Sequence, residues 1–304
     1  MPRAHQHWLY VWIPLVAATV WFGTLLAMLI TWLAQGRPHY VSQDGSIAYI
    51  SDVGADILKP LFITGCSITA VGFFLSLVVE RWLRHSGRLI PQMRRRERAL
   101  AILAIIGSFI GGAGLILLSV FDTKRYSSAH SAFLLVFIVG VGLSAIFTVI
   151  EYRWISKDFE ELRKLKFAYI LKGTIATILI LCAIAFAIAL FNATDVGAIL
   201  EWIIAFGYTF YLLTFFLDLR MAKGVHRGQF KRSEIKQAKM QGVPVSVMAA
   251  RHEGDFVLQG GYSRESNDTS RTYNGRAPLL PESAYQPGPL RNAYVTSGGA
   301  ANRV

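Results

Sequence analysis

The sequence RRRERALAILAIIGSFIGGAGLILLSVFD, from Arg94 to Asp122, decides the fold class of this chain. It consists of a cluster of cations, an uncharged apolar run from Ala99 to Phe121, and an acid. A run of this length matches the roughly 20 residues that cross the hydrocarbon core of a bilayer as a helix. Because lipid offers no partners to backbone polar groups, such a run must satisfy them internally. The stretch therefore predicts a transmembrane helix.

Five further apolar runs have the same character, and Glu201 is the only charged residue within them. These runs are 9–33, 61–79, 131–150, 173–191 and 196–217. The composition agrees, since 53% of the chain is hydrophobic and only 16% is charged, as in integral membrane proteins. We predict an all-α polytopic integral membrane protein with a domain of six transmembrane helices at 1–221. The tail at 222–304 is basic and rich in Gly, Ser, Pro and Asn, which predicts a largely disordered segment.

The cations lie on alternate sides of the runs. One group lies between the second and third runs and another between the fourth and fifth: Arg81, Arg84, Arg88, Arg94, Arg95, Arg96, Arg98, and then Arg153, Lys157, Arg163, Lys164, Lys166. Short loops rich in Lys and Arg stay in the cytoplasm. Both termini, the tail included, are therefore predicted to be cytoplasmic. The net charge of +12 sits beside membrane ends, so no nucleic-acid partner is predicted.

Small residues mark the third and fourth runs. Gly107, Gly111, Gly112 and Gly114 lie in the third, with Gly140 and Ser144 in the fourth. This spacing lets two helix backbones approach closely in lipid. We therefore expect the third and fourth spans to pack together.

The predicted topology places several polar residues on the side of the membrane opposite the cytoplasm, which we call the outer face. The candidate binding residues there are Asp52, Asp56, Asp122, His130 and Glu201. Carboxylates beside a histidine suit headgroup binding, cation binding or proton transfer. The alternative is that they are solvated interfacial residues or helix caps. No spacing matches a metal or nucleophile motif, so we predict no catalytic residue, metal site or cofactor.

The cytoplasmic face carries a different chemistry. The candidate ligands for anionic lipid are Arg94, Arg95, Arg96, Arg98, Lys164, Lys166, Lys231 and Arg232. Each cation near the membrane surface attracts anionic lipid by about 1 kcal/mol. The alternative is that these cations only set the topology. The helical spacing of Ile155, Phe159 and Leu162 predicts a segment that lies in the plane of the interface.

Several short motifs resemble the DRAM/Frag/Sfk family of six-span membrane proteins over about residues 9–221. They are YISDVGA at 49–55, Phe121-Asp122, His130, AILEW at 198–202 and TFFLD at 214–218. The first is the most specific. Within the family, the chain is most similar to the fungal suppressor-of-FK506-sensitivity branch and to the amino-terminal domain of Cwh43.

The resemblance implies a non-enzymatic plasma-membrane organiser that supports a phosphatidylinositol 4-kinase complex and phospholipid homeostasis and asymmetry. Its partners would be anionic phospholipids, phosphoinositides among them. Other relatives leave two alternatives open: an autophagy modulator of the vacuole or lysosome, and a lumenal remodelling factor for glycosylphosphatidylinositol anchors in the endoplasmic reticulum. A transporter would need ionisable or helix-breaking residues near the bilayer midplane, and the runs place none there.

Overall fold

A computed structural model describes residues 6–158, 163–222 and 230–241, and these residues form helices and no strands. A 3-10 turn at Gln6–Val11 leads into eight helices. They are α1 Trp12–Ala34, α2 Ile50–Gly54, α3 Lys59–His85, α4 Arg95–Val120, α5 Thr123–Asp158, α6 Arg163–Asn192, α7 Thr194–Arg220 and α8 Arg232–Met240. The predicted disorder of the tail concerns residues outside those described.

Six of these helices are long and apolar enough to cross a membrane, which confirms the prediction of six spans. They cover Leu9–Ala34, Lys59–His85, Arg95–Val120, Thr123–Lys157, Lys166–Asn192 and Thr194–Arg220. Most of these helices continue beyond the apolar runs by a turn or more. Residues just outside a run are therefore still part of a packed helix.

The six spans form a closed ring in which each helix packs on its neighbours in the order α1, α3, α4, α5, α6, α7 and back to α1. The centre is aromatic: Phe73 of α3 contacts Tyr208, Tyr211 and Phe215 of α7 with ring centroids 5.7–6.2 Å apart. Trp21 of α1 donates its indole N–H to the Ala205 carbonyl at 2.8 Å. These contacts tie α1, α3 and α7 together through the core.

The ring has two chemically different ends. The Asp52 end contains the C-termini of α1, α4 and α6, the N-termini of α3, α5 and α7, and helix α2. The Arg84 end contains the opposite termini and α8. Acidic side chains cap the N-termini of two helices, α2 and α4. At the Arg84 end, the Glu97 carboxylate accepts the N–H groups of Met93 and Arg94 at 2.7 and 3.2 Å, which satisfies donors that a helix start leaves free.

Glycines bring α4 and α5 into backbone contact, as the sequence predicts. A methyl group on Gly140 would stand 2.5 Å from the Gly111 nitrogen, and one on Gly107 would stand 3.0 Å from the Gly140 carbonyl oxygen. The Ser144 hydroxyl donates to the Ala104 carbonyl across the same interface at 2.7 Å. This close approach confirms that the third and fourth spans pack together.

Helix α8 lies against the Arg84 end. Phe230 and the fully buried Ile235 pack with Tyr152 and Ile155 of α5, and the Phe230 N–H donates to the Gly87 carbonyl at 2.9 Å. The prediction that Ile155 lies in the membrane interface is therefore wrong. The helix α5 continues straight through Ile155, whose side chain is buried against protein. Phe159 and Leu162 of that predicted segment lie outside the described residues.

Candidate functional site

The loop between α1 and α3 folds over the Asp52 end and is fastened to α7. The Asp195 carboxylate accepts the N–H and hydroxyl of Ser46 at 2.6 and 2.7 Å and the N–H of Ile47 at 3.0 Å. The Trp202 indole donates to the Ala48 carbonyl at 3.0 Å. The Tyr49 hydroxyl donates to the Thr194 carbonyl at 2.8 Å. Four successive residues of the loop are thus held by the first turns of α7.

Asp52 of α2 and Glu201 of α7 also accept backbone N–H groups of this segment. Asp52 is buried and accepts the Ser42 hydroxyl at 2.6 Å and the Tyr49 N–H at 3.1 Å. Burial raises the pKa of Asp52 above its ordinary value, although these two hydrogen bonds oppose the shift. Glu201 accepts the Ile50 N–H at 2.7 Å. Burial, with Glu201 nearby, raises the pKa of the Tyr49 hydroxyl to about 12.

The remaining predicted residues of this end have separate partners. Asp122 forms an ion pair with Lys59 and accepts the Arg125 N–H at 2.8 Å. Burial alone would raise the pKa of Asp122, but Lys59 and the Arg125 N–H outweigh it and hold that pKa below its usual value. His130 is buried, and its Nδ1 lies 2.9 and 3.0 Å from the carbonyls of Leu118 and Phe121. Since a carbonyl only accepts, Nδ1 carries the hydrogen.

Asp52 interacts electrostatically with His130 and with Glu201. Asp122 is engaged by Lys59, and Asp56 lies exposed. Within the described part of the chain, no group of three His, Cys, Asp or Glu residues is placed to hold a metal ion. Three acids of this end, Asp52, Asp195 and Glu201, accept backbone N–H groups between Ser46 and Ile50.

The predicted cations at the Arg84 end fall into two groups. In the first, Arg94, Arg95 and Arg96 line a recess of about 560 Å³ together with Glu97 and Trp154. The Arg94 guanidinium lies 5.3 Å from the centroid of the Trp154 ring, close enough for a cation–π contact. Lys166 is exposed on α6, and the side chain of Lys164 lies outside the described residues.

The second group forms what we call the cation pocket, a recess beside the start of α8. Its lining is Arg81, Arg84, His85, Gly87, Pro91, Gln92, Arg98, Phe230, Lys231 and Arg232. The fold brings Lys231 and Arg232 of the tail to Arg98 and to residues at the end of α3. Among the residues that the structure describes, no carboxylate belongs to this lining.

Hydrogen bonds fix several walls of the cation pocket. The Arg81 guanidinium donates to the Arg98 carbonyl at 3.3 Å. The Arg232 guanidinium donates to the Met93 carbonyl, and one Arg84 nitrogen donates to the Ile90 carbonyl at 3.0 Å. Because carbonyls neutralise no charge, these bonds leave Arg81 and Arg232 with theirs, whereas Arg84 is paired with Glu80. Hydrogen bonds therefore hold three guanidinium groups of the pocket in place.

Beneath the pocket lies a buried ionic network that the sequence did not predict. Glu80 accepts two guanidinium nitrogens of Arg84 at 2.7 and 3.2 Å and the Tyr152 hydroxyl at 2.6 Å. Lys172 of α6 pairs with Asp218 of α7, and each side chain is only 1% exposed. The Lys172 ammonium also lies 4.6 Å from the centroid of the Tyr152 ring. The network thus joins α3, α5, α6 and α7.

A third acid extends the network toward the loop after α3. Glu151 accepts the Gln92 side-chain amide at 2.6 Å, and its carboxylate lies 3.9 Å from the Arg84 guanidinium. Arg84 is therefore shared: it is held by Glu80 below and lines the cation pocket above. Three buried carboxyl groups surround two buried cations.

The six membrane-spanning helices form a ring, with an anchored loop at one end and a cluster of cations at the other. This architecture defines the chain as a polytopic membrane protein. The family is settled by comparison: the Frag1/DRAM/Sfk1/Cwh43P N-terminal domain model matches residues 9–222, and the chain belongs to this family. Among the residues that carried the resemblance, Tyr49, Glu201 and Trp202 take part in the bonds that fasten the loop to α7, and Asp52 accepts the Tyr49 N–H.

Two fungal proteins are similar to this chain in sequence. The chain is 29% identical over 255 residues to Protein sfk1 of Schizosaccharomyces pombe, across 84% of this chain and 77% of the relative. It is also 29% identical over 192 residues to Protein SFK1 of Saccharomyces cerevisiae, across 54% of each chain. No solved structure matches the chain.

Proposed function

We propose that this protein is a non-enzymatic membrane organiser whose Arg84 end faces the cytoplasm and binds the phosphorylated headgroup of an anionic phospholipid, a phosphoinositide in particular. The observation that carries the proposal is the cation pocket. Arg81, Arg98, Lys231 and Arg232 converge there with no acid among the described lining residues. The like charges of these side chains repel one another, and an anion bound between them offsets that repulsion. A phosphate supplies both the negative charge and the acceptor oxygens.

The orientation follows from the positive-inside rule. The cations of the Arg84 end flank four spans, while the loops of the Asp52 end carry few, so the Arg84 end is the cytoplasmic one. Anionic lipids belong mainly to the cytoplasmic leaflet. The pocket therefore opens at the level where their headgroups lie.

In this proposal, headgroup binding serves a phosphatidylinositol 4-kinase complex at the plasma membrane and so supports phospholipid homeostasis and asymmetry. The kinase link rests on the family resemblance, and the pocket supplies a chemical reason for it. The acids at the Asp52 end favour the non-enzymatic reading, since Asp52, Asp122 and Glu201 each accept hydrogen bonds from neighbouring backbone groups.

The test is a triple variant of the pocket, Arg98→Gln, Lys231→Gln and Arg232→Gln, expressed in place of the native copy. We expect phosphatidylinositol 4-phosphate at the plasma membrane, measured with a fluorescent lipid sensor, to fall toward the level of a strain without the protein. The matched control is Lys124→Gln with Arg125→Gln, which removes two exposed cations from the Asp52 end and should change nothing.

An unchanged lipid level in the triple variant, with the protein present at normal amount, would refute the kinase role. A tagged copy separates the alternatives by location. Plasma-membrane residence supports the proposal, whereas vacuolar residence would favour autophagy, and residence in the endoplasmic reticulum would favour anchor remodelling.

A further inference from the structure

An apolar cavity lies inside the bundle, between α5, α6 and α7. Most of its wall comes from these three helices, with Trp21, Phe62 and Leu115 closing it from α1, α3 and α4. Protein interiors are normally packed as densely as organic crystals. An unfilled space that apolar side chains line, with a polar group at one end, has the character of a ligand pocket.

The cavity has the depth of one leaflet. On α7 its lining runs from Glu201 to Tyr211, and on α6 from Ala176 to Phe186. Ten residues of helix rise about 15 Å, which is half of the roughly 30 Å hydrocarbon core. Ile50, Phe62 and Leu118 of the lining lie at the Asp52 end of the bundle, and on α7 the lining continues to Tyr211, so the cavity extends from the Asp52 end to the middle of the bundle.

Helix α6 is all that separates this space from the surrounding lipid on one side. Only 17% of the residues in its most apolar stretch are buried, against 50% for α3. Among the described helices, α6 packs substantially only on α5 and α7, and its contact with α5 is the least extensive in the ring. The seam between α5 and α6 is therefore the side from which hydrocarbon can enter.

Small residues create the space. Gly142, Ala145, Ala176 and Ala183 belong to the lining, and a methyl group built on Gly142 would meet no atom within 4 Å. Water does not fill a cavity lined by apolar side chains. An empty cavity would forfeit packing energy in proportion to its volume, so an apolar occupant from the membrane is favoured.

One end of the cavity is polar. Glu201 is the only charged residue of the described lining, and its Oε2 accepts the Ile50 N–H at 2.7 Å. An ionisable group at membrane depth is costly and marks a functional position. It stands at the headgroup-facing end of the cavity, where the linkage between an acyl chain and its headgroup would lie.

We propose that this cavity binds one acyl chain of a membrane glycerophospholipid from the leaflet at the Asp52 end, with the headgroup end of the chain toward Glu201. The site is separate from the cation pocket, and the proposal does not depend on the function proposed above. It adds a second lipid site, in the opposite leaflet, to the same protein.

Native mass spectrometry of the purified full-length protein tests this site. We expect the wild type to retain one glycerophospholipid after detergent exchange and Gly142→Phe to retain several-fold less, because the phenyl group enters the open space beside Gly142. The matched control is Gly23→Phe on α1, where an added methyl group also meets nothing within 4 Å and where the residue is outside the lining. This control should retain lipid as the wild type does.

A second measurement needs no substitution in the cavity wall. Trp21 is 3% exposed and lines the cavity, so bulk lipid does not reach it. In bilayers of phospholipid brominated on the acyl chain, the Trp21 fluorescence, taken as the difference between wild type and Trp21→Phe, should be quenched. Absence of quenching would overturn the proposal, as would undiminished lipid in Gly142→Phe or a sterol or sphingolipid as the retained molecule.

Discussion

Replacing Gly140 by leucine is expected to abolish the folded bundle, the largest effect we expect of any single substitution. Any side chain at this position begins 2.5 Å from the Gly111 nitrogen and 2.6 Å from its Cα. Both are backbone atoms, so no rotamer change relieves the clash. Helices α4 and α5 would have to separate, and the Ser144 hydroxyl would lose the Ala104 carbonyl.

The matched control lies two residues further along the same helix. A methyl group at Gly142 meets nothing within 4 Å, so Gly142→Leu should leave the folded fraction unchanged. The measurement is the yield of monodisperse protein by size exclusion in mild detergent, followed by thermal unfolding. Equal yields and melting temperatures for the two leucine variants would show that close approach of α4 and α5 is not required.

Replacing Lys172 by methionine is the second large effect. It leaves the Asp218 carboxylate, which is 1% exposed, without its cation in a medium of low dielectric constant. Removing one partner from a buried ion pair typically costs about 3–5 kcal/mol. We therefore expect a large fall in the thermal stability of Lys172→Met in detergent.

Two further variants isolate the cause of that loss. Lys166→Met makes the same chemical change on the same helix at an exposed position and should leave stability near the wild type. The double variant Lys172→Met with Asp218→Leu removes both charges and should recover much of the loss, because no buried charge remains unpaired. A double variant less stable than Lys172→Met would contradict this explanation of the pair.

The spans and the α4–α5 contact could be predicted from the sequence because each depends on a local pattern. Uninterrupted apolar length defines a membrane helix, and glycines at helical spacing define a close-approach face. The cation pocket could be predicted only in part. Arg98, Lys231 and Arg232 were candidates, but their meeting with Arg81 depends on how α8 docks through Phe230 and Ile235.

The buried network was missed because each of its members stands just outside an apolar run. Glu80, Glu151 and Asp218 directly follow the ends of runs, and Lys172 directly precedes one. Cations in such positions are usually topology determinants, and a single helix gives no sign of which face meets its neighbours. One signal was available: acids of three different spans stand one residue beyond their runs at the same end of the bundle, amid many cations.

For the acids at the Asp52 end, the sequence predicted the location but not the role. Their position at one end of the bundle could be predicted from topology alone, and Asp52 interacts electrostatically with both His130 and Glu201. Their use could not be read from the sequence, because Glu201 acts on the backbone of Ile50, which is 151 positions away. Only the folded loop shows that these carboxylates hold backbone N–H groups.

Arg84 connects the buried network to the cation pocket. Its guanidinium is fixed by Glu80 and by the Ile90 carbonyl while it lines the pocket. A donor held in place loses less entropy when a ligand binds. The buried network therefore preorganises the pocket, in addition to joining four helices.

The most direct test of the central claim is the affinity of the purified full-length protein for a soluble short-chain lipid, dioctanoyl phosphatidylinositol 4-phosphate. We expect saturable binding at one site, at least about tenfold tighter than for dioctanoyl phosphatidylserine, since a phosphomonoester brings about −1.5 to −2 charges to the pocket. The triple variant Arg98→Gln, Lys231→Gln and Arg232→Gln should lose this binding, and Lys124→Gln with Arg125→Gln should keep it. Equal affinity for the two lipids, or undiminished binding by the triple variant, would contradict headgroup recognition by the cation pocket.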